Sequence, residues 1–226
     1  MKDSGIEWLG EVPAHWQIKP IKRIASICYG IGEPPRYQED GIPLIRATNI
    51  LNGQLFEEGL VFVNPADIPE ERIVWLSPGD IIVVRSGAYT GDSAIIPKGY
   101  GKCIAGFDMV LRCRGVSPDL VEFALLSKYV KESQIDLEKM RAAQPHLNAE
   151  ELGSCLIALP NSLEEQTEIV SFLTHETGKL DALTVEAERG IVLLKERRRA
   201  LISAAITGKI NVRALVEFRP EEVAAE

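Results

Sequence analysis

One proline-free run limits what this chain can fold into. After Pro160 no proline occurs until Pro220, and proline is the residue a helix interior tolerates least. Ser162 opens the run with Glu165 three residues on, the spacing of a capping box. Leu173, Leu180, Ala187, Leu194 and Leu201 recur at every seventh position, and Ile169, Leu183, Ile191 and Ala205 widen the stripe. This pattern predicts one helix from Leu163 to about Gly208, roughly 65 Å long at about 1.5 Å per residue, carrying a heptad seam. Glu176, Gly190 and Arg197 occupy d-like positions, which suits a free parallel zipper poorly. An antiparallel partner or packing on another subunit fits better.

Residues 1–160 follow a different rhythm. Short β-like runs alternate with Gly and Pro: Ile42 to Arg46, Leu60 to Val63, Asp80 to Arg85 after the turn Ser77-Pro78-Gly79, Ser93 to Pro97, and Met109 to Cys113. Asn52-Gly53 and the glycines at 99 and 101 mark turns. One helix interrupts them. Ser117 is its N-cap, Pro118 its first residue, Asp119 and Glu122 its acidic first turn, and Leu120, Phe123, Ala124, Leu126 and Val130 its packing stripe. The expected fold class is α+β: a mixed domain of short twisted strands over 1–160, a long coiled-coil-like helix within 161–212, and an acidic tail over 213–226.

Composition excludes several classes. With 226 residues, 46% hydrophobic and 26% charged, the chain can bury a core and is neither collagenous nor disordered. No apolar run is long enough for a membrane span, and residues 1–20 lack the apolar stretch of a secretory signal, so a cytoplasmic location is expected. The net charge of −8 argues against gripping nucleic acid by bulk positive charge, though not against a local basic surface. Cys28, Cys103, Cys113 and Cys155 form no CxxC pair and read as free thiols in a reducing compartment.

Catalytic patterns are missing. His15, His146 and His175 have no Cys, Asp or Glu at ligand or triad spacing, so no metal site is expected. Gly87-Ala88-Tyr89-Thr90-Gly91 lacks the Gly-Lys-Ser/Thr of a phosphate loop and reads as a tight link between strands. Glu33-Pro34-Pro35-Arg36-Tyr37 is a poor version of an amino-methyltransferase motif, with Glu at its head and Arg36 before the aromatic. Asp67, Glu70, Glu71 and Asp80 are read as solvated surface rather than a nuclease cluster.

Several stretches carry a family resemblance. They are Glu7-Trp8-Leu9-Gly10-Glu11-Val12-Pro13-Ala14-His15-Trp16; Ile42 to Ile50 with Gly53; Pro78 to Gly87 with Thr90-Gly91; Gln144-Pro145-His146-Leu147-Asn148; Ile157 to Pro160; Glu165-Gln166 with Ile169, Leu173, Asp181 and Leu183; and Arg198 to Ile202 with Ala205 to Ile210. In order and spacing they resemble the target-recognition domain and conserved helix of the specificity (S) subunit of type I restriction–modification systems. One departure is Pro160-Asn161-Ser162-Leu163, where the family usually has Pro-Pro. The other is length, because one recognition domain and one helix make a half-size S subunit.

The resemblance implies a non-catalytic adaptor that reads half of a double-stranded DNA target. Its helix docks the methyltransferase (M) subunits, which bind S-adenosylmethionine and methylate adenine, and the restriction (R) subunit joins with ATP and Mg²⁺. This chain itself would hold no cofactor. A homodimer through Leu173, Leu180, Leu183, Leu194 and Leu201 would read a bipartite inverted repeat, and Arg197 and Arg199, beside Lys195 and Arg198, would touch M-subunit carboxylates or DNA phosphates. Base readout needs side chains with several donors or acceptors on loops held by a rigid sheet. Three segments qualify: Arg36, Tyr37 and Gln38; Arg85, Ser86, Tyr89 and Thr90; Arg141 and Gln144. Arg46 and Asn49 are assigned a structural role. The competing reading is an enzyme or a protein-interaction module that has no DNA target and dimerises through the arm.

Overall fold

A computed structural model describes residues 1–139 and 145–211; Arg141, Gln144 and the acidic tail over 213–226 lie outside the described residues. The chain divides into two compact units, Met1–Phe172 and Leu173–Glu226.

The run Ile81-Ile82-Val83-Val84 is apolar at every position because its strand is covered on both faces. Ile81–Val83 pairs antiparallel with Ser93–Ile95 on one side and Met109–Cys113 on the other, and Met109–Cys113 pairs with Ala25–Tyr29. Ile81, Val83, Met109 and Leu111 point into one core, shared with Leu120, Val121 and Leu125 of a helix and with Leu147, Leu152 and Ile157. Ile82, Val84 and Val110 point the other way, into a core with Ile45, Ala94, Ile96, Cys103 and Ala105. A second four-stranded sheet orders Val61–Val63, Ile42–Ile45, Cys103–Ala105 and Trp75–Leu76, its central pair parallel. Gln17–Pro20 pairs with Leu156–Leu159 beside the helical core. The α+β expectation is met, and the strands expected around 42, 61, 81, 93 and 109 are present.

The helix expected after Ser117 begins at Pro118, with the Ser117 side chain accepting from Leu120 N. It stops at Leu126, because Ser127 is extended and its hydroxyl donates to Ala124 O. Val130 is therefore in a separate turn, Lys128–Val130. The buried face is Leu120, Val121, Ala124 and Leu125, while Phe123 and Leu126 are only half-buried. Glu122, expected in the acidic first turn, is buried and accepts from the Ser93 hydroxyl at 3.1 Å.

The long helix spans Leu163–Ile206. The Ser162 hydroxyl accepts from Glu164 N at 3.2 Å and Glu165 N at 3.5 Å. The Glu165 carboxylate does not close a capping box. It accepts from Trp16 Nε1 at 2.9 Å and meets His15 Nε2 at 2.9 Å, which holds it below the usual carboxylate range. Gln166, fully buried, accepts from Ser117 N at 2.8 Å and donates to Pro160 O at 2.9 Å. The opening Trp-containing motif and Glu165-Gln166 thus fasten the first turn of the helix within the first unit. Gly208, at φ 70, ends the helix, with Ile210 N donating to Ala204 O; the left-handed conformation is the usual glycine stop.

Candidate nucleic-acid interface

The two sheets meet where their backbones nearly touch. A Cβ on Gly30 would lie 1.9 Å from Gly106 O, so only glycine permits the approach. Gly30 N donates to Asp108 O at 2.9 Å, and Gly106 N donates to Ile45 O at 2.7 Å. This junction sets the neighbours of the two glycines, Tyr29 and Phe107, against one guanidinium. Arg85 lies 4.5 Å from the Tyr29 ring and 4.3 Å from the Phe107 ring, and its Nη2 donates to His146 Nε2 at 3.3 Å. Beneath it Asp108, 2% exposed, accepts from Arg85 N at 3.1 Å. Burial pushes the Asp108 carboxyl above its ordinary range, against the pull of the Arg85 and Ala47 N–H groups and the Arg85 charge.

A second guanidinium stands close by. Arg46 lies 5.4 Å from the Tyr37 ring, and its Nη2 donates to Gly59 O at 3.0 Å. Tyr37, Arg46, Ala47, Ser86, Phe107 and Asp108 line a cleft of about 210 Å³ with Ile31, Pro34 and Leu44. Two of the three sequence-derived segments therefore share one cleft. The chain that follows the third, from Pro145, pairs with the second: Ser86 bridges His146, and Leu147 N donates to Arg85 O at 2.8 Å.

Individual residues divide. Tyr89 is exposed at the loop tip, Tyr37 is exposed on the cleft wall, and Arg36 is exposed outside the cleft lining. Gln38 is tied to the second sheet, its backbone N donating to Phe62 O and its amide to Asp67 Oδ2 at 3.3 Å. Thr90 is corrected: it is 0% exposed, and its hydroxyl lies 2.7 Å from Gly87 O and 3.3 Å from Pro145 O. It braces the loop and cannot reach a ligand. Asp80 is corrected as well, being buried, accepting from Ser77 N and paired with Arg112. Asn49 is structural, fully buried and donating to Phe56 O and Glu58 O. Sequence reasoning missed Tyr29, Phe107 and His146, and placed Arg46 in the framework alone. For Tyr29 and Phe107 the signal was an aromatic beside a glycine, in Tyr29-Gly30 and Gly106-Phe107, and His146 lay in the family-like stretch Gln144 to Asn148.

Burial pushes the thiols upward, Cys113 to about 12 and Cys103 and Cys155 to about 11. They stay protonated and unreactive near neutral pH. Among the described residues, no group of three His, Cys, Asp or Glu is placed to hold a metal ion, and no helix is long and apolar enough to cross a membrane.

Comparison with known proteins follows the same lines. The chain is 26% identical over 212 residues to the StySPI type I restriction enzyme specificity subunit of Salmonella potsdam, covering 89% of this chain and 45% of that protein. It is 25% identical over 214 residues to the EcoKI specificity subunit of Escherichia coli K12, with the same coverage. It thus spans about half the length of these relatives. Its fold is similar to the HsdS subunit from Thermoanaerobacter tengcongensis, with TM-score 0.58, 19% identity and 89% and 47% of the two chains covered. A chain from a structure of type I R-M complex assembly and conformational transition aligns with TM-score 0.68 at 20% identity, covering 87% and 47%. The type I restriction modification DNA specificity domain matches residues 13–191, most of the chain, which therefore belongs to that family.

Proposed function

We propose that this chain reads one half of a bipartite DNA target for a type I restriction–modification complex and has no active site of its own. The observation that carries the reading is the junction surface itself. Two guanidiniums, Arg46 against one aromatic ring at the cleft and Arg85 against two beside it, stand next to a polar, glycine-hinged loop. Arginine suits base edges and phosphates, and a stacked guanidinium is held in place before DNA arrives. Arg85, Ser86, Tyr37 and Tyr89 are the residues we assign to the DNA face, with Arg46 beside them and Arg36 at the margin. Gln38 serves the framework unless binding frees its amide.

Methyl transfer then falls to M subunits carrying S-adenosylmethionine, and cleavage to an R subunit using ATP and Mg²⁺. Sharing phosphate contacts with M subunits reconciles DNA binding with a chain of net charge −8. Leu180, Leu183, Leu194 and Leu201 are exposed along the long helix, a larger apolar stripe than a soluble helix leaves wet. A second copy packed antiparallel covers it and supplies the second recognition domain, so the dimer reads two equivalent half-sites. Arg197 and Arg199 remain for M-subunit carboxylates or phosphates between the half-sites.

The test is selection from random duplexes by the purified chain with its M subunit. One bipartite, inverted sequence is expected to emerge. Binding without sequence preference, or methyl transfer by this chain alone, overturns the reading.

A further inference from the structure

The long helix segregates its charge. From Leu163 to Glu188 it carries seven Asp and Glu against one Lys, and from Arg189 to Lys209 the sequence carries six Lys and Arg against one Glu. Two copies side by side in parallel set like charge against like along their whole length. Two antiparallel copies set the acidic half of each against the basic half of the other.

The seam carries a finer pattern. At about 100° per residue, Leu173, Glu176, Leu180, Leu183, Ala187, Ile191, Leu194, Arg198 and Leu201 fall within about 80° of arc. They are arranged symmetrically about Ala187: Leu173 with Leu201, Glu176 with Arg198, Leu180 with Leu194, and Leu183 with Ile191. In an antiparallel pair centred on Ala187, each couple meets at one level from opposite edges of the seam, so the side chains interdigitate. Glu176 and Arg198 are the only charged residues within this arc from Leu173 to Leu201; Arg197, d-like in a strict heptad, falls about 80° from Ala187 on the straight helix. That register sets each against its opposite. Sliding one helix by three or four residues sets Glu176 against Leu201 or Leu194 and strips a charge of water without a partner. In the single chain Glu176 accepts from Lys179 at 2.7 Å, a surface pair worth little.

We infer that Glu176 and Arg198 lock the register of a self-pairing helix. The occupant of the exposed seam is a second copy of this chain, antiparallel and centred on Ala187, with Glu176 of each copy meeting Arg198 of the other. A polar pair inside an apolar seam fixes register and partner at some cost in stability. The inference rests on the antiparallel dimer proposed above and adds its register and selectivity.

The experiment uses full-length chains in sedimentation equilibrium and native mass spectrometry, with helicity checked by circular dichroism. Glu176→Arg and Arg198→Glu each leave two like-charged contacts in the homodimer, and each raises its dissociation constant by at least about a hundredfold. An equal mixture of the two variants forms a heterodimer, because every contact is again opposite. The double variant, Glu176→Arg with Arg198→Glu, returns to within a few-fold of the unaltered chain. Variants that dimerise normally, or a mixture that does not recombine, overturn the register and leave the dimer standing. An unaltered chain that is monomeric at micromolar concentration overturns the dimer and the register together.

Discussion

Glu122 gives the recognition domain a stability that depends on pH in a direction opposite to most carboxylates. It is 5% exposed, its Oε1 accepts from the Ser93 hydroxyl, and its Oε2 is buried without a partner. Burial pushes its carboxyl up to about 7 from an ordinary 4.5; Asp119 adds to the rise, and Ser93 and Lys131 oppose it. Lys131 is itself committed to the buried Asp92. Between those two pH values the folded chain holds a proton that the unfolded chain has released. Linkage then makes unfolding easier as pH rises through this window. The difference of about 2.5 units corresponds to about 3 kcal/mol at about 1.36 kcal/mol per unit.

Glu122→Gln removes the titration. The amide keeps an oxygen for Ser93 but places an unpartnered NH₂ where Oε2 was, a penalty of about 1–3 kcal/mol that does not change with pH. The variant is therefore expected to be the less stable protein near pH 4.5. Its stability relative to the unaltered chain then rises by about 3 kcal/mol on going to pH 8. At about 2–4 °C per kcal/mol for a chain of this size, the two melting temperatures should converge or cross by roughly 6–12 °C. Urea and thermal unfolding of both chains from pH 4.5 to 8 measure this. Stability curves that stay parallel across the window refute the reasoning, since they mean that Glu122 titrates alike in both states.

Arg85→Ala in a chain assembled with its M subunit should cost about 1–3 kcal/mol of DNA affinity and relax one position in each half-site if Arg85 meets a base. A uniform loss with a salt slope smaller by about one assigns it to phosphate instead, and neither change removes it from the DNA face. Asn49→Ala abandons the carbonyls of Phe56 and Glu58 and the N–H of Arg46, and should lower unfolding free energy in urea by about 2–3 kcal/mol. Leu194→Asp, placed in the exposed seam, should abolish self-association in sedimentation without lowering the melting temperature of the recognition domain.

Features decided over a few residues were legible in the sequence, and those decided across the chain were not. The long helix was visible because its start, its seam and its glycine stop lie in consecutive residues. The Ile81–Val83 strand was visible because burial on both faces leaves an unbroken apolar run. Cys103–Ala105 and Gln17–Pro20 were missed because their strand character comes from partners distant in sequence. Glu165 shows the competition directly. Its spacing from Ser162 satisfies the local capping rule, yet an indole N–H 149 residues away claims the carboxylate. Thr90 failed in the same way: a hydroxyl beside two glycines reads as an exposed loop donor until the backbone at Pro145 closes over it.

The proposed DNA face follows the same division. Arg85 and Tyr37 could be nominated because polar groups on glycine- and proline-rich loops are visible one residue at a time. What turns them into a surface is the contact of Gly30 with Gly106. That contact sets Tyr29 and Phe107 against Arg85 and opens the cleft beside Arg46. The framework side of this junction is apolar and fixed by backbone hydrogen bonds, whereas the side chains projecting from it carry no packing duty toward the core. The fold can therefore be kept while the exposed residues Arg36, Tyr37, Tyr89 and Phe107 change. That separation is the physical condition for one scaffold to read different sequences, and under the proposed function the determinants of specificity lie where local sequence patterns say least.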